Sequence, residues 1–112
     1  FVVDDDARIR TATAQALRHA GFTVAEFDGG QAAICGLADH HPDLLVTDVL
    51  MPGMNGPALV SAMHDRLPGL PILFISGDVG ETPMSAFGNA PLLPKPFTAT
   101  KLIAAVKGLL ED

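Results

Sequence analysis

The chain has 112 residues, a net charge of −6, 48 % apolar residues, one cysteine and seven basic residues. That length and apolar content suit one domain, residues 1–112, with one packed core, and exclude a disordered chain. The scattered Lys and Arg argue against a nucleic-acid surface, the lone Cys35 excludes an internal disulfide and argues against Cys-based zinc, and no run approaches the ~18 apolar residues of a membrane span. A reducing, cytoplasmic setting is expected, with no membrane contact by this domain. No signal peptide is visible, and Phe1 already reads as mid-strand, so the start of the first strand is expected to precede it.

Short apolar runs alternate with helical periods. Phe1 to Asp4 reads as a strand. From Ala7 to Ala20, Ile9, Ala12, Ala16, Leu17 and Ala20 follow helical spacing, with Asp6 as N-cap and Gly21 as stop. Phe22 to Phe27 alternates as a second strand. Asp28 with Gln31 resembles a capping box, opening a helix that buries Ala33, Ile34, Leu37 and Ala38 and ends by Pro42. Cys35 on that helix is expected to be a small buried hydrophobe. Asp43 to Asp48 is nearly continuous in apolar residues, as suits a central parallel strand buried on both faces.

The loop Met51 to Gly56 follows, its two methionines read as packing or shaping the turn. Pro57 then sits where a first helical turn tolerates it, and Leu59, Met63 and Leu67 continue the helix. Pro68-Gly69 breaks it, and Pro71 to Ile75 is a fourth strand. Between Ser76 and Ala90, Gly77, Gly80, Pro83 and Gly88 leave any fourth helix short or irregular. Leu92 to Pro94 is a fifth strand. Thr98 caps a last helix with Leu102, Ile103, Val106, Leu109 and Leu110 on one face. The four histidines, His19, His40, His41 and His64, fall near predicted helix ends, where a favourable dipole accounts for them. Five strands alternating with helical segments predict an α/β doubly wound parallel sheet, in which ligands bind outside the carboxyl ends of the strands.

Asp4, Asp5 and Asp48 each stand at or just past the end of an apolar run. In a parallel sheet they emerge at one edge, where close like charges need something positive among them. A hard cation taking oxygen ligands would serve, and Lys95 follows the fifth run. Taken singly, Asp4 and Asp5 read equally well as a solvated strand end, Lys95 as a surface lysine and Ser76 as a turn residue. Asp6 reads better as a helix cap than as part of a site.

Four motifs stand in order: Val3-Asp4-Asp5-Asp6, Asp48 to Gly56, Ile75-Ser76-Gly77 and Lys95-Pro96-Phe97. Together they resemble a response-regulator receiver domain, the phosphoacceptor module of two-component signalling. The resemblance covers essentially the whole chain. It implies a sheet in the order 2-1-3-4-5, Asp48 as phosphoacceptor, and Mg2+ held by Asp5, Asp48 and the Leu50 backbone carbonyl, with Asp4 acting through water. It implies that Ser76 and Lys95 contact the phosphoryl group, with backbone amides near Val49 and Gly77. It implies a cis Lys95-Pro96 bond and a partner that is a histidine kinase or histidine phosphotransfer protein. The wording of the strands is similar to receivers appended to hybrid histidine kinases. Leu92 departs from the family, in which Phe or Tyr is common, so the aromatic rotation that accompanies switching cannot occur here in that form. Leu50 and Asp78 fall at positions that tune phosphate lifetime in the family.

Two other readings stand beside this one. A degenerate receiver would act as a phosphorylation-independent binding or dimerisation module, and would show loss of an acidic residue, the serine or the lysine. None is lost. An aspartyl-phosphate phosphatase would carry a second acid two residues after its nucleophile, where this chain has Leu50. No glycine-rich nucleotide-binding pattern occurs.

Overall fold

The computed structural model describes residues 1–77 and 90–110. Its elements in chain order are β1 (Val2–Val3), α1 (Ala7–His19), β2 (Glu26–Phe27), α2 (Gly30–Gly36), β3 (Leu45–Asp48), α3 (Gly56–Arg66), β4 (Ile72–Ser76), β5 (Leu92–Pro94) and α4 (Ala99–Leu110). The strands form one parallel sheet in the order β2-β1-β3-β4-β5. The expected irregular helix between Ser76 and Ala90, and Asp78 with it, lie outside the described residues.

Successive strand residues point to opposite faces of a sheet, and the core divides accordingly. Val3, Leu45, Ile72 and Phe74 pack with Ala33, Leu59 and Met63 of α2 and α3. Val2, Val46, Leu73 and Ile75 pack with Leu17 of α1 and with Leu102 and Val106 of α4. β3 is buried along its whole length, as its nearly continuous apolar run predicts.

Local chemistry sets several helix ends. The Asp6 side chain accepts from the amides of Arg8 and Ile9 at 3.0 and 3.3 Å. Gly21, at φ 101°, takes the left-handed turn that ends α1. Asn55 caps α3 by accepting from Ala58 at 2.9 Å, with Pro57 in the first turn. Thr98 accepts from Lys101 at 3.2 Å at the start of α4. The Lys95-Pro96 bond is cis.

Several expectations are corrected. α1 buries Thr13, Ala14 and Leu17, while Ala12 and Ala20 are exposed. Alanine is small enough to stand on either face, so its spacing carries little directional information. The second strand has only two paired residues, Glu26 and Phe27, because β1 beside it offers only Val2 and Val3. Asp28 does not cap α2: Gly29 does, with no side-chain bond, and the helix ends at Gly36, well before Pro42. A Cβ at Gly30 would come to 2.7 Å from Met54 Sδ, so the first turn of α2 packs closely on the loop. Ala38, Cys35 and Leu110 are exposed rather than buried. α2 is one short run of turns, and its face toward Phe27 and α3 leaves Cys35 on the outside.

Candidate functional site

The alternation that sorts the core also collects the site. Asp4 lies two residues past Val2, Asp48 two past Val46 and Lys95 two past Leu93. Val2, Val46 and Leu93 all face α1 and α4, and β1 and β3 pair with Val2 opposite Val46. The side chains of Asp4, Asp48 and Lys95 therefore leave the sheet on one side of its carboxyl edge.

Asp4 is fully buried, and each of its polar groups has a partner. Its amide donates to the Phe27 carbonyl at 3.2 Å, its Oδ1 accepts from the Asp6 amide at 2.9 Å, and its backbone carbonyl accepts from Arg10 Nη1 at 2.9 Å. Its Oδ2 lies 3.0 Å from Lys95 Nζ, which also stands 3.3 Å from Asp48 Oδ2. Asp48 Oδ1 accepts from the Val49 amide at 2.8 Å. Asp5 is exposed, and its carboxylate has no hydrogen-bond or ion-pair partner among the described residues. Oxygens of Asp4, Asp5 and Asp48 lie within 4.8 Å of one another.

The electrostatics follow from this crowding. Burial pushes the Asp48 pKa up and the neighbouring Asp4 adds to the push, while Lys95 and the Val49 amide oppose it. Burial disfavours the Lys95 charge, but the hydrogen bond and charge of Asp4, with Asp48 behind them, leave its pKa raised. An oxygen-only donor set of carboxylates matches a hard divalent cation, not a soft thiolate-seeking metal. The residues thus suit Mg2+, whose charge would relieve the strain on Asp48.

Ser76, buried at the end of β4, is in register with Pro94, and its carbonyl accepts from the Lys95 amide at 2.9 Å. Gly77 is exposed at the rim, where a Cβ would sit 3.7 Å from Lys95 Cβ. Leu50 is 43 % exposed just beyond Asp48. The Val49 amide, expected near a phosphoryl group, here serves Asp48 itself. Met51 packs into the core and Met54 against its margin.

Two residues carry roles that the sequence does not assign them. A Cβ at Gly56 would run into the Asp48 carbonyl oxygen and lie 3.1 Å from both Val49 Cα and Phe74 Cε1; the Gly56 amide donates to the Val49 carbonyl at 2.7 Å. The loop after Asp48 therefore closes directly onto the strand end, and the Asn55-Gly56-Pro57 run was the available signal. Arg10 was passed over because its helical position alone predicts a solvated side chain.

Sequence and structure comparisons agree with this geometry. The family described as response regulator receiver domain matches residues 1–107. NtrC of Salmonella typhimurium, a DNA-binding transcriptional regulator, is 37 % identical over 110 residues, covering 96 % of this chain and 24 % of NtrC. The sensor kinase CckA of Brucella abortus is 32 % identical, over 99 % of this chain and 12 % of the kinase. The chain thus spans about a quarter of the NtrC length and less of the kinase. The crystal structure of the receiver domain of NtrX from Brucella abortus superposes with a TM-score of 0.89 at 32 % identity, covering 98 % of this chain and 96 % of that one. Receiver domains bind Mg2+ at an acidic pocket and interact with histidine kinases; no described helix here is long and apolar enough to cross a membrane. With the sheet order, the acidic edge and the family match in agreement, this chain belongs to the response regulator receiver domains of two-component signalling.

Proposed function

We propose that Asp48 is the phosphoacceptor and that the site works with Mg2+. The observation that carries this reading is Lys95 Nζ bridging Asp4 and Asp48, with the Asp5 carboxylate beside them. The donor is a phosphohistidine on a histidine kinase or histidine phosphotransfer protein. An Asp48 oxygen forms a bond to phosphorus, the phosphorus–nitrogen bond breaks, and the imidazole leaves with the electron pair.

Attack needs the ionised carboxylate, which Lys95 favours against burial. Asp5, Asp48 and the Leu50 carbonyl would hold Mg2+ directly, with Asp4 acting through water. When bound, the cation offsets the charge that gathers on the transferring oxygens. Lys95 pairs with the phosphoryl group, the Ser76 hydroxyl donates to one of its oxygens, and the amides near Val49 and Gly77 complete the donors. The new charge draws Lys95 and Ser76 toward Asp48 and biases the domain between two conformations.

In this reading residues 1–112 form a single cytoplasmic receiver. It catalyses only its own phosphorylation and dephosphorylation, and itself binds neither nucleic acid nor membrane. The test is intact mass after incubation with acetyl phosphate, with and without Mg2+. One phosphoryl adduct that needs both Mg2+ and Asp48, and is absent in Asp48→Asn, is expected. No adduct on a protein shown to bind Mg2+ would instead favour a phosphorylation-independent binding module.

A further inference from the structure

Asp5 is the one member of the acidic cluster that no side chain holds among the described residues. Asp4 is fastened by Lys95 and the Asp6 amide, and Asp48 by Lys95 and the Val49 amide. With no partner on its side chain, Asp5 owes its position to the backbone that carries its Cα, and first to the peptide joining Asp4 to Asp5. The oxygen of that peptide accepts from Arg10 Nη1 at 2.9 Å. A peptide is planar, so the hydrogen bond on its oxygen, with the Asp4 amide held on the Phe27 carbonyl, narrows the directions in which the Asp5 Cα can leave.

Arg10 is itself held. Its side chain is 20 % exposed, and its Nε stands 3.8 Å from Glu26 Oε1 on β2. Glu26 Oε2 pairs with Arg18 Nη1 at 2.8 Å, and Arg18 Nη2 donates to the Val24 carbonyl at 2.9 Å. The guanidinium thus spans α1, β2 and the end of β1. The donors of a guanidinium are fixed on one rigid plane, whereas a lysine ammonium is a compact point charge on a flexible stem.

We propose that Arg10 is a positioning residue for the metal site: by holding the Asp4–Asp5 peptide it presents the Asp5 carboxylate to the cation. The proposal rests on the Mg2+ reading above. Groups that orient a ligand from behind tune how tightly the metal is held.

The test is Mg2+ titration by calorimetry on the wild type, Arg10→Met and Val106→Ala, with thermal unfolding of each in EDTA. Val106 is buried on the α4 face and serves as a destabilised control away from the site. Arg10→Met is expected to weaken Mg2+ binding about 10-fold or more, in the range for loss of an outer-shell partner. Val106→Ala should lose thermal stability and keep its Mg2+ affinity. Wild-type affinity in a folded Arg10→Met, with only a lower unfolding temperature, would overturn the proposal. Should Arg10→Met fail to fold, Arg10→Lys decides: weaker binding in a native-like protein supports the fork, and unchanged binding overturns it. A wild-type protein that binds no Mg2+ would overturn the metal reading itself, and this proposal with it.

Discussion

At the scale of single residues, Asp48 holds opposing influences in one carboxylate. Burial and Asp4 favour its protonated form, and Lys95 with the Val49 amide favours the charged one; the balance is a raised pKa. A group that binds its proton more tightly when folded makes the fold more stable at low pH. That contribution is lost as pH rises through the window between the ordinary carboxylate value and the raised one. In EDTA, the wild type should therefore lose thermal stability across that window. Asp48→Asn, which has no proton to lose there, should show a flatter profile and unfold at a higher temperature near neutral pH. Thermal melts by circular dichroism from pH 4 upward check this, and identical slopes in the two proteins would contradict it. Lys95 has the matching sign at the other extreme: its raised pKa adds stability that disappears as pH climbs through its folded value.

At the scale of elements, the approach of α3 to the end of β3 is the tightest feature near the site. Gly56 has its amide on the Val49 carbonyl and no room for a Cβ against the Asp48 carbonyl. Gly56→Ala should push the strand end and the helix start apart. Overpacking of this kind costs about 1–3 kcal/mol. Because the moving atoms belong to Asp48, labelling by acetyl phosphate should also slow at saturating Mg2+. Urea unfolding and timed mass measurements test the two effects separately. At the far edge of the sheet, Leu92 of β5 lies in register with Phe74 and is 39 % exposed. An aliphatic side chain there has no ring to rotate, so whatever response follows phosphorylation runs through other atoms than an aromatic at this place.

For the whole molecule, the sheet divides two apolar layers and gathers acidic side chains at its carboxyl edge. The layers bury uncharged side chains only, whereas the edge concentrates Asp4 and Asp48 with one lysine. A ligand that binds only the folded edge stabilises the entire domain by mass action. Mg2+ at 100 times its dissociation constant should add about 2.7 kcal/mol to the unfolding free energy. Denaturant titration with and without Mg2+ reads this directly, and the increment should vanish in Asp48→Asn. An equal increment in both proteins would place the cation elsewhere.

The residues themselves determined the succession of strands and helices along the chain, the helix caps at Asp6 and Thr98, the turn at Gly21 and the carboxylates at the strand ends. These are local matters: a cap or a left-handed turn is settled within a few residues, and a run of four apolar residues already says that a strand is buried. The family motifs extended that reach to Ser76 and Lys95. The tertiary structure decided what depends on distance between remote segments. It turned α1 so that Thr13 and Ala14 face inward, put Gly29 rather than Asp28 at the start of α2, and left Cys35 outside. It also brought Arg10 of α1 onto the Asp4 carbonyl and Gly56 onto that of Asp48. No periodicity encodes such contacts, because each depends on how two separately formed elements are held against the same sheet.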